Sequence, residues 1–300
     1  MSLEKWLVFP GQTKIIDIDL VRRLKLGMIG GTVDVIGHDE PGARIEVHSV
    51  SGKGLKISMN GDALEIDHVQ LRWDNFIDVF GSFRGTSRAE ASILVPRDVA
   101  MTFGVVSAEA LVSGLHNDAR LSTVSGSLVV DAGQGHLEIN AVSAEVSVRN
   151  HEGTVNAHTV TGEFTASGRI RRFGLDGVTS NVFLDLEGTP DEITTNTVSG
   201  NLTVRLAADV AARYRLNTIS GTLQLDDQTV RGTFGKPYES SNGALNGAWV
   251  ELRANSVSGD ISVVRRDTTA DPDADRPTAR TAQTAPPTAT SPTDSGEAAS

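Results

Sequence analysis

The sequence predicts an all-β protein, specifically a single-chain β-solenoid of about 18–21 residues per coil with a disordered C-terminal tail. Three observations support this prediction. A nine-residue string recurs along the chain, each copy alternates apolar and polar residues, and the C-terminal segment has almost no apolar side chains. The string reads STVSGSLVV at 122–130, NTVSGNLTV at 196–204, NTISGTLQL at 217–225 and NSVSGDISV at 255–263.

Each repeat is marked by a small residue, Gly, Ala or Ser, that in most repeats directly follows Ser or Thr. We call this residue the anchor. The anchors are Gly31, Gly52, Ala108, Gly126, Ala144, Gly162, Ser180, Gly200, Gly221 and Gly259. From Ala108 to Gly221 the steps between anchors are 18 to 21 residues, which is enough for two short strands joined by a corner. Glycine at the anchor indicates a left-handed corner or a close backbone approach, so we expect the corners at Ala108, Ala144 and Ser180 either not to be left-handed or to be slightly reshaped.

Four columns of the aligned repeats are apolar, at positions −7, −2, +2 and +4 from the anchor. The residue at +3 is usually polar, as at Ser147 and Thr203. Alternation of this kind is typical of strands with one buried face. We therefore expect all four columns to point into the core, including Val142, Val160 and Val178 at −2.

Two architectures fit these strands: stacked coils, or an antiparallel meander that is closed on itself or folded into a sandwich. Columns of Asn at −4 and of Ser or Thr at −1 favour stacked coils, where equivalent side chains lie about 4.8 Å apart and can hydrogen-bond. Position +5 favours the same stacking, because Asp131 is followed by Arg149. Likewise, Asp185 is followed by Arg205 and then Asp226.

The chain divides by composition into two parts. Residues 1–265 are expected to form the β-strand repeat domain, with an irregular insertion at about 60–100. The N-terminal strands and this insertion would protect one end of the stack, and Arg265 and Arg266 would blunt the last strand at the other. Residues 266–300 are rich in Pro, Thr and Ala and cannot bury enough apolar surface to offset their ordering entropy, so they are predicted to be a disordered tail.

Charge and composition limit the classes of partner. Lys and Arg number 27 against 38 Asp and Glu, and the formal charge of −11 disfavours nucleic acid and anionic lipid as partners. The absence of cysteine excludes disulfides and thiolate metal sites. No long apolar run is present and the start, MSLEKWLVFPGQTK, lacks the apolar region of a signal peptide. We therefore expect no membrane span and a cytoplasmic location.

The corner motif TVSG-x-[LIV]-x-[VL] and the Gly-Gly-x-Val at 30–33 resemble a bacterial family of β-strand-repeat proteins. RLSTVSGSLVVD, TTNTVSGNLTVR and RANSVSGDISVV carry the resemblance, which covers about residues 13–265. That family is of unknown function, is labelled "putative adhesin" and is related to the toast-rack domains. The resemblance implies a solenoid-like repeat without established catalytic residues. An adhesin requires export, and no signal peptide is visible.

Catalytic, cofactor and metal residues are not predicted. The serines lie in V-S-G rather than in a G-x-S-x-G elbow, so corner hydrogen bonding explains them better than catalysis. The histidines do not converge, except for a corner that His116 and His151 could share. Glu145 and Glu163 fall in one column at +1, where stacked carboxylates are either a solvated acidic edge or a calcium site.

The segment LRWDNFIDVFGSFRG at 71–85 concentrates aromatic side chains. Trp73, Phe76 and Phe80 fall on one face at helical spacing, and Phe83 follows. The segment is either a short helix that covers the solenoid or an aromatic patch for self-association or a protein partner.

The sequence as a whole favours a non-enzymatic repeat scaffold or protein-interaction module whose partner is another protein or a second copy. Two alternatives stay open: a surface adhesin exported by an unseen route, and a carbohydrate-active enzyme on a solenoid. The enzyme would need convergent carboxylates on one flat face, and the sequence shows none.

Overall fold

The part of the chain that the structure describes is built from strands. The computed structural model describes residues 3–68, 87–226, 228–231, 233 and 236–266, and these contain 18 strands in one sheet that is not closed. No helix among these residues is long and apolar enough to cross a membrane. The first seven strands are β1 Leu3–Val8, β2 Lys14–Ile18, β3 Arg23–His38, β4 Ala43–Ser51, β5 Leu55–Asn60, β6 Ala63–His68 and β7 Arg88–Pro96. The next three are β8 Ala100–Ser113, β9 Ala119–Asp131 and β10 Gln134–Leu186. The last eight are β11 Glu192–Ser199, β12 Leu202–Leu206, β13 Ala211–Thr218, β14 Thr222–Leu225, β15 Gln228–Arg231, β16 Tyr238–Asn242, β17 Trp249–Ser258 and β18 Ile261–Arg265.

Successive repeats in the middle of the chain stack in parallel, with each residue over its equivalent. β8 pairs with β9 and β9 pairs with the first part of β10, both at a constant offset of 18 residues. Leu121 thus pairs with Ile139, and Val130 pairs with Val148. The in-register stacking that the columns predicted is therefore observed for these repeats, each of which we call a rung.

Each rung has two arms, one before and one after the anchor, and their apolar side chains share one core. All members of the −7, +2 and +4 columns from Ala108 onward are buried, as predicted. Phe164 in a second arm contacts Phe173 in the next first arm, with ring centroids 5.8 Å apart. The two arms therefore face each other across the core.

The valines at −2 do not point into the core, and the prediction that they do was wrong. Val142, Val160 and Val178 are 41%, 44% and 46% exposed. The threonines at −3 are buried instead, with Thr123 at 2% and Thr159 at 7%. The reason is parity: alternation runs unbroken from −7 through −5 to −3, so −2 belongs to the opposite face.

The last repeat in the sequence is not the last rung of the stack. β17 pairs in parallel with β11 on one side and with β13 on the other. β18 likewise lies between β12 and β14. The rung at 249–265 is therefore inserted between the rungs at 192–206 and 211–225, whereas the sequence predicted stacking in chain order. Arg205 forms an ion pair with Asp185 as predicted, but it does not neighbour Asp226.

Antiparallel strands cover the parallel stack at both ends. At one end β5 and β1 follow β6, and β4 and β2 follow β7. At the other end β16 covers β13 and β15 covers β14. β18 is thus an internal strand, and the prediction that Arg265 and Arg266 blunt an end strand was wrong.

β6 and β7 lie within the stretch that was expected to be irregular. Residues 69–86, and the predicted tail beyond Arg266, lie outside the described residues.

His68 at the end of β6 is fully buried. Its Nδ1 atom accepts a hydrogen bond from the Ile29 N–H at 3.2 Å, and its Nε2 atom has no partner among the described residues. Burial lowers the pKa of this imidazole from 6.5 to about 4. The folded protein therefore holds His68 neutral at pH values where the unfolded chain would protonate it.

We expect the free energy of unfolding to fall by about 3 kcal/mol as the pH drops from about 6.5 to 4, because His68 is protonated in the unfolded chain but stays neutral in the folded one. Asp62 and Asp185 have lowered pKa values through Arg23 and Arg205, and their contributions are lost only at still lower pH. Urea denaturation at a series of pH values measures the slope. His68→Asn keeps an acceptor for the Ile29 N–H but does not titrate, so an unchanged slope in this variant would contradict the assignment.

Candidate functional site

Three depressions lie side by side on the outward-facing side of the first arms, and together we call them the groove. Their volumes are about 470, 280 and 440 Å³. Arg120 lines the first and third of these, and Glu138 lines the first and second. His158 and Asp176 line the second and third. Each depression shares lining residues with the other two, so the groove defined in this way extends over successive rungs.

Polar side chains of the groove bond to one another from rung to rung. Arg120 donates to Glu138 Oε2 from Nε at 3.0 Å and from Nη2 at 2.7 Å. At position −4, Asn196 Nδ2 donates to Asp176 Oδ1 at 2.8 Å, and Asn255 Nδ2 donates to Asn196 Oδ1 at 2.9 Å. The hydrogen-bonded ladder that the column at −4 predicted is present over these three rungs. Arg120, Glu138, Asp176 and Asn196 would thus meet a ligand with hydrogen-bond partners already in place.

The residues at −2 from Val124 onward form an outward-facing row beside the groove, and we call this row the aliphatic ladder. In the order of the rungs they are Val124, Val142, Val160, Val178, Val198, Val257 and Ile219. Val124 is partly exposed, and the other six are between 41% and 49% exposed. Six steps at strand spacing give a row about 29 Å long. The three members nearest the N-terminus line the third depression directly.

The hydroxyl column at −1 supports the backbone of the ladder. Ser125 Oγ donates to the carbonyl oxygen of Val106 at 3.1 Å, and Thr161 Oγ1 donates to that of Val142 at 3.2 Å. Ser220 Oγ does the same to Val257 at 3.1 Å. Each of these hydroxyls thus bonds the −2 carbonyl of the neighbouring rung, which is the corner role that the sequence predicted. The surface that the ladder presents is therefore methyl groups.

The aromatic residues singled out from the sequence cannot be placed against this surface. Trp73, Phe76, Phe80 and Phe83 lie outside the described residues, so their role in an interaction patch stays a prediction. The sequence did contain the signal for the ladder. Side chains alternate between the two faces of a strand, so −7, −5 and −3 share one face and −2 lies on the opposite, outward face.

The residues considered as metal ligands do not form a site. Glu145 and Glu163 at +1 are exposed. His116 is exposed, while His151 is buried with Nε2 3.2 Å from the carbonyl oxygen of Gly135. Within the described residues, no three His, Asp or Glu side chains come together in a way that could hold a metal ion.

Comparison with known proteins gives distant structural neighbours. No protein-family model matches the chain, and no curated protein matches it. A "putative cell adhesion protein" from Clostridium sporogenes is 14% identical over 88% of this chain and 100% of its own, with a TM-score of 0.28. A "putative lipid binding protein" from Parabacteroides distasonis is 11% identical over 85% and 98%, with a TM-score of 0.49. A "putative adhesin" from Bacteroides fragilis is 9% identical over 85% and 98%, with a TM-score of 0.32. At these values the neighbours establish neither a family nor a function for this chain.

Proposed function

We propose that this chain is a non-catalytic interaction module, a solenoid scaffold that presents the groove and the aliphatic ladder to a binding partner. The observation that carries the proposal is the ladder itself. Isolated exposed valines are ordinary on protein surfaces, but an unbroken row of seven aliphatic side chains beside a groove is a contiguous apolar surface of the kind that binds partners.

The solenoid interpretation is supported by the parallel register of the rungs and by the antiparallel strands at both ends of the stack. Stacking matters for function because it sets the spacing of the surface. Each rung from Val124 to Ile219 adds one aliphatic side chain to the ladder, so a partner meets the same chemistry at a regular interval.

β-propensity offers a second reason for valine at an exposed strand position, because β-branched side chains suit a pleated surface. A substitution by threonine distinguishes partner binding from β-propensity as the reason for valine. It is β-branched and close to valine in size, but its hydroxyl removes the apolar character of the surface. Val160→Thr/Val178→Thr therefore changes the ladder while it keeps the strand.

The test uses the full chain as bait in native lysate, with the ladder variant beside it. Ile15→Thr/Ile36→Thr is the matched control, because both residues are exposed and β-branched but lie away from the ladder. We expect wild type and control to retain the same proteins and the ladder variant to lose them. Equal retention by all three baits would contradict the proposal.

An exported, adhesin-like protein would use the same surface outside the cell, and the family resemblance and the descriptions of two structural neighbours motivate this form of the proposal. Cell fractionation distinguishes it from a cytoplasmic scaffold. Recovery from the surface or extracellular fraction supports the adhesin-like form, and recovery from the cytoplasm alone contradicts it.

A further inference from the structure

We propose that the aliphatic ladder binds a second copy of this chain, with the two ladders packed along each other. This inference rests on the proposed interaction role and names its partner. The ladder is a surface that is complementary to itself, because the same patch on two copies can meet across a two-fold axis.

The spacing of the ladder is the first reason for choosing a second copy. A partner that covers the whole row must offer apolar groups that repeat at about 4.8 Å over about 29 Å. The ladder of a second copy has the same repeat, because its rungs are identical. Its side chains can pack against Val142, Val160 and Val178 and continue past Val198 to Ile219, so that each rung contributes to the contact.

The size of the ladder sets the strength of this contact. A strip about 29 Å long and on the order of 15 Å wide would bury roughly 900 Å² over both copies. Stable complexes bury about 1,600 Å², whereas weak and transient ones bury less than about 1,200 Å². The size of the ladder thus favours a weak, reversible dimer rather than a permanent one.

Electrostatic repulsion opposes the contact and makes the dimer depend on salt concentration. The chain carries a formal charge of −11, and Glu145 and Glu163 lie exposed beside the ladder at +1. On the other side, Asp176 lies 3.7 Å from His158 Nδ1 and Arg120 lines the same depression, so the repulsion comes from the glutamates and the net charge. Bringing two copies together therefore places like charges near each other, so added salt should strengthen the dimer by screening the repulsion.

Sedimentation equilibrium of the purified full chain, from micromolar to millimolar concentration at low and high salt, tests the proposal. We expect wild type and Ile15→Thr/Ile36→Thr to dimerise alike and more tightly at high salt. Val160→Thr/Val178→Thr should dimerise at least about tenfold more weakly, because two apolar contacts per copy lose a methyl group at the interface. Circular dichroism of all three proteins establishes that each is folded.

Two results would overturn the self-association. One is a wild-type chain that stays monomeric at all these concentrations, and the other is a folded ladder variant that dimerises like wild type. The lysate experiment keeps this failure separate from that of the proposed function. A monomeric wild type that still retains proteins through its ladder would point to a different partner and leave the interaction role intact.

Discussion

Gly162→Ala is expected to lower the free energy of unfolding by about 4 kcal/mol. Gly162 has a φ of +132°, in a region that residues with a Cβ rarely adopt. A Cβ at this position would also overlap the carbonyl oxygen of Ala144 in the neighbouring rung and would lie 3.1 Å from its carbonyl carbon. Both atoms belong to the backbone, so the clash can be relieved only if the rungs separate.

Gly188→Ala is the matched control for this effect. Gly188 has a φ of +70°, but a Cβ there would meet nothing within 4 Å. It therefore carries the conformational cost alone, about 1 kcal/mol. Urea denaturation of the two variants measures the difference. Equal losses of stability would mean that close packing of the rungs contributes nothing at the anchor.

The anchor column shows what the repeats could predict. Glycine was expected to allow either a left-handed corner or a close backbone approach, and Gly126, Gly162 and Gly200 need both. Ala144 and Ser180, which do not have positive φ, supply the carbonyl oxygens over which Gly162 and Gly200 lie. The expectation that the Ala and Ser corners are not left-handed is confirmed.

The order of the rungs could not be predicted from the columns. The strings NTVSGNLTV, NTISGTLQL and NSVSGDISV place the same residue types at the same positions, so column matching fits either order equally well. The residues at +1, which differ between the three strings, distinguish the two orders. Asp260 accepts a hydrogen bond from the Thr222 N–H at 2.8 Å, and its own N–H donates to Asn201 Oδ1 at 3.1 Å. Asp260 thus bonds to both neighbouring rungs.

The candidate surface was partly visible in the sequence. Its residues were recognised as a column, but they were assigned to the core because apolar columns were taken as buried whatever their parity. The groove was not predictable in the same way. Its walls combine side chains such as Arg120, Glu138 and His158, which lie 18 to 20 residues apart and meet only when the rungs are stacked.

Arg265 is expected to be the side chain that fixes the inserted rung most strongly, and Arg265→Met should cost about 3 kcal/mol. Its side chain is 13% exposed. The guanidinium donates to the carbonyl oxygens of Ala207 and Val210 and to Tyr214 Oη at 2.6 Å, and Nε lies 3.7 Å from Asp226 Oδ1. Methionine fills similar space but removes the donors to the Val210 carbonyl oxygen and to Tyr214 Oη, and it removes the cation beside Asp226. Ala207 still accepts from the Val210 N–H, and Asp226 still accepts from Asn242 Nδ2.

Arg266→Met is the control at the adjacent position. Arg266 is 34% exposed and donates to Asp185, whose pKa is lowered first by Arg205 and then by Arg266. Because Arg205 still pairs with that carboxylate after the change, we expect a loss below about 1 kcal/mol. Urea denaturation of both variants measures the two losses in the free energy of unfolding. Similar losses would show that Arg265 acts as an ordinary surface arginine, and the rung order would then have to depend on Asp260 and the backbone ladders on either side of β18.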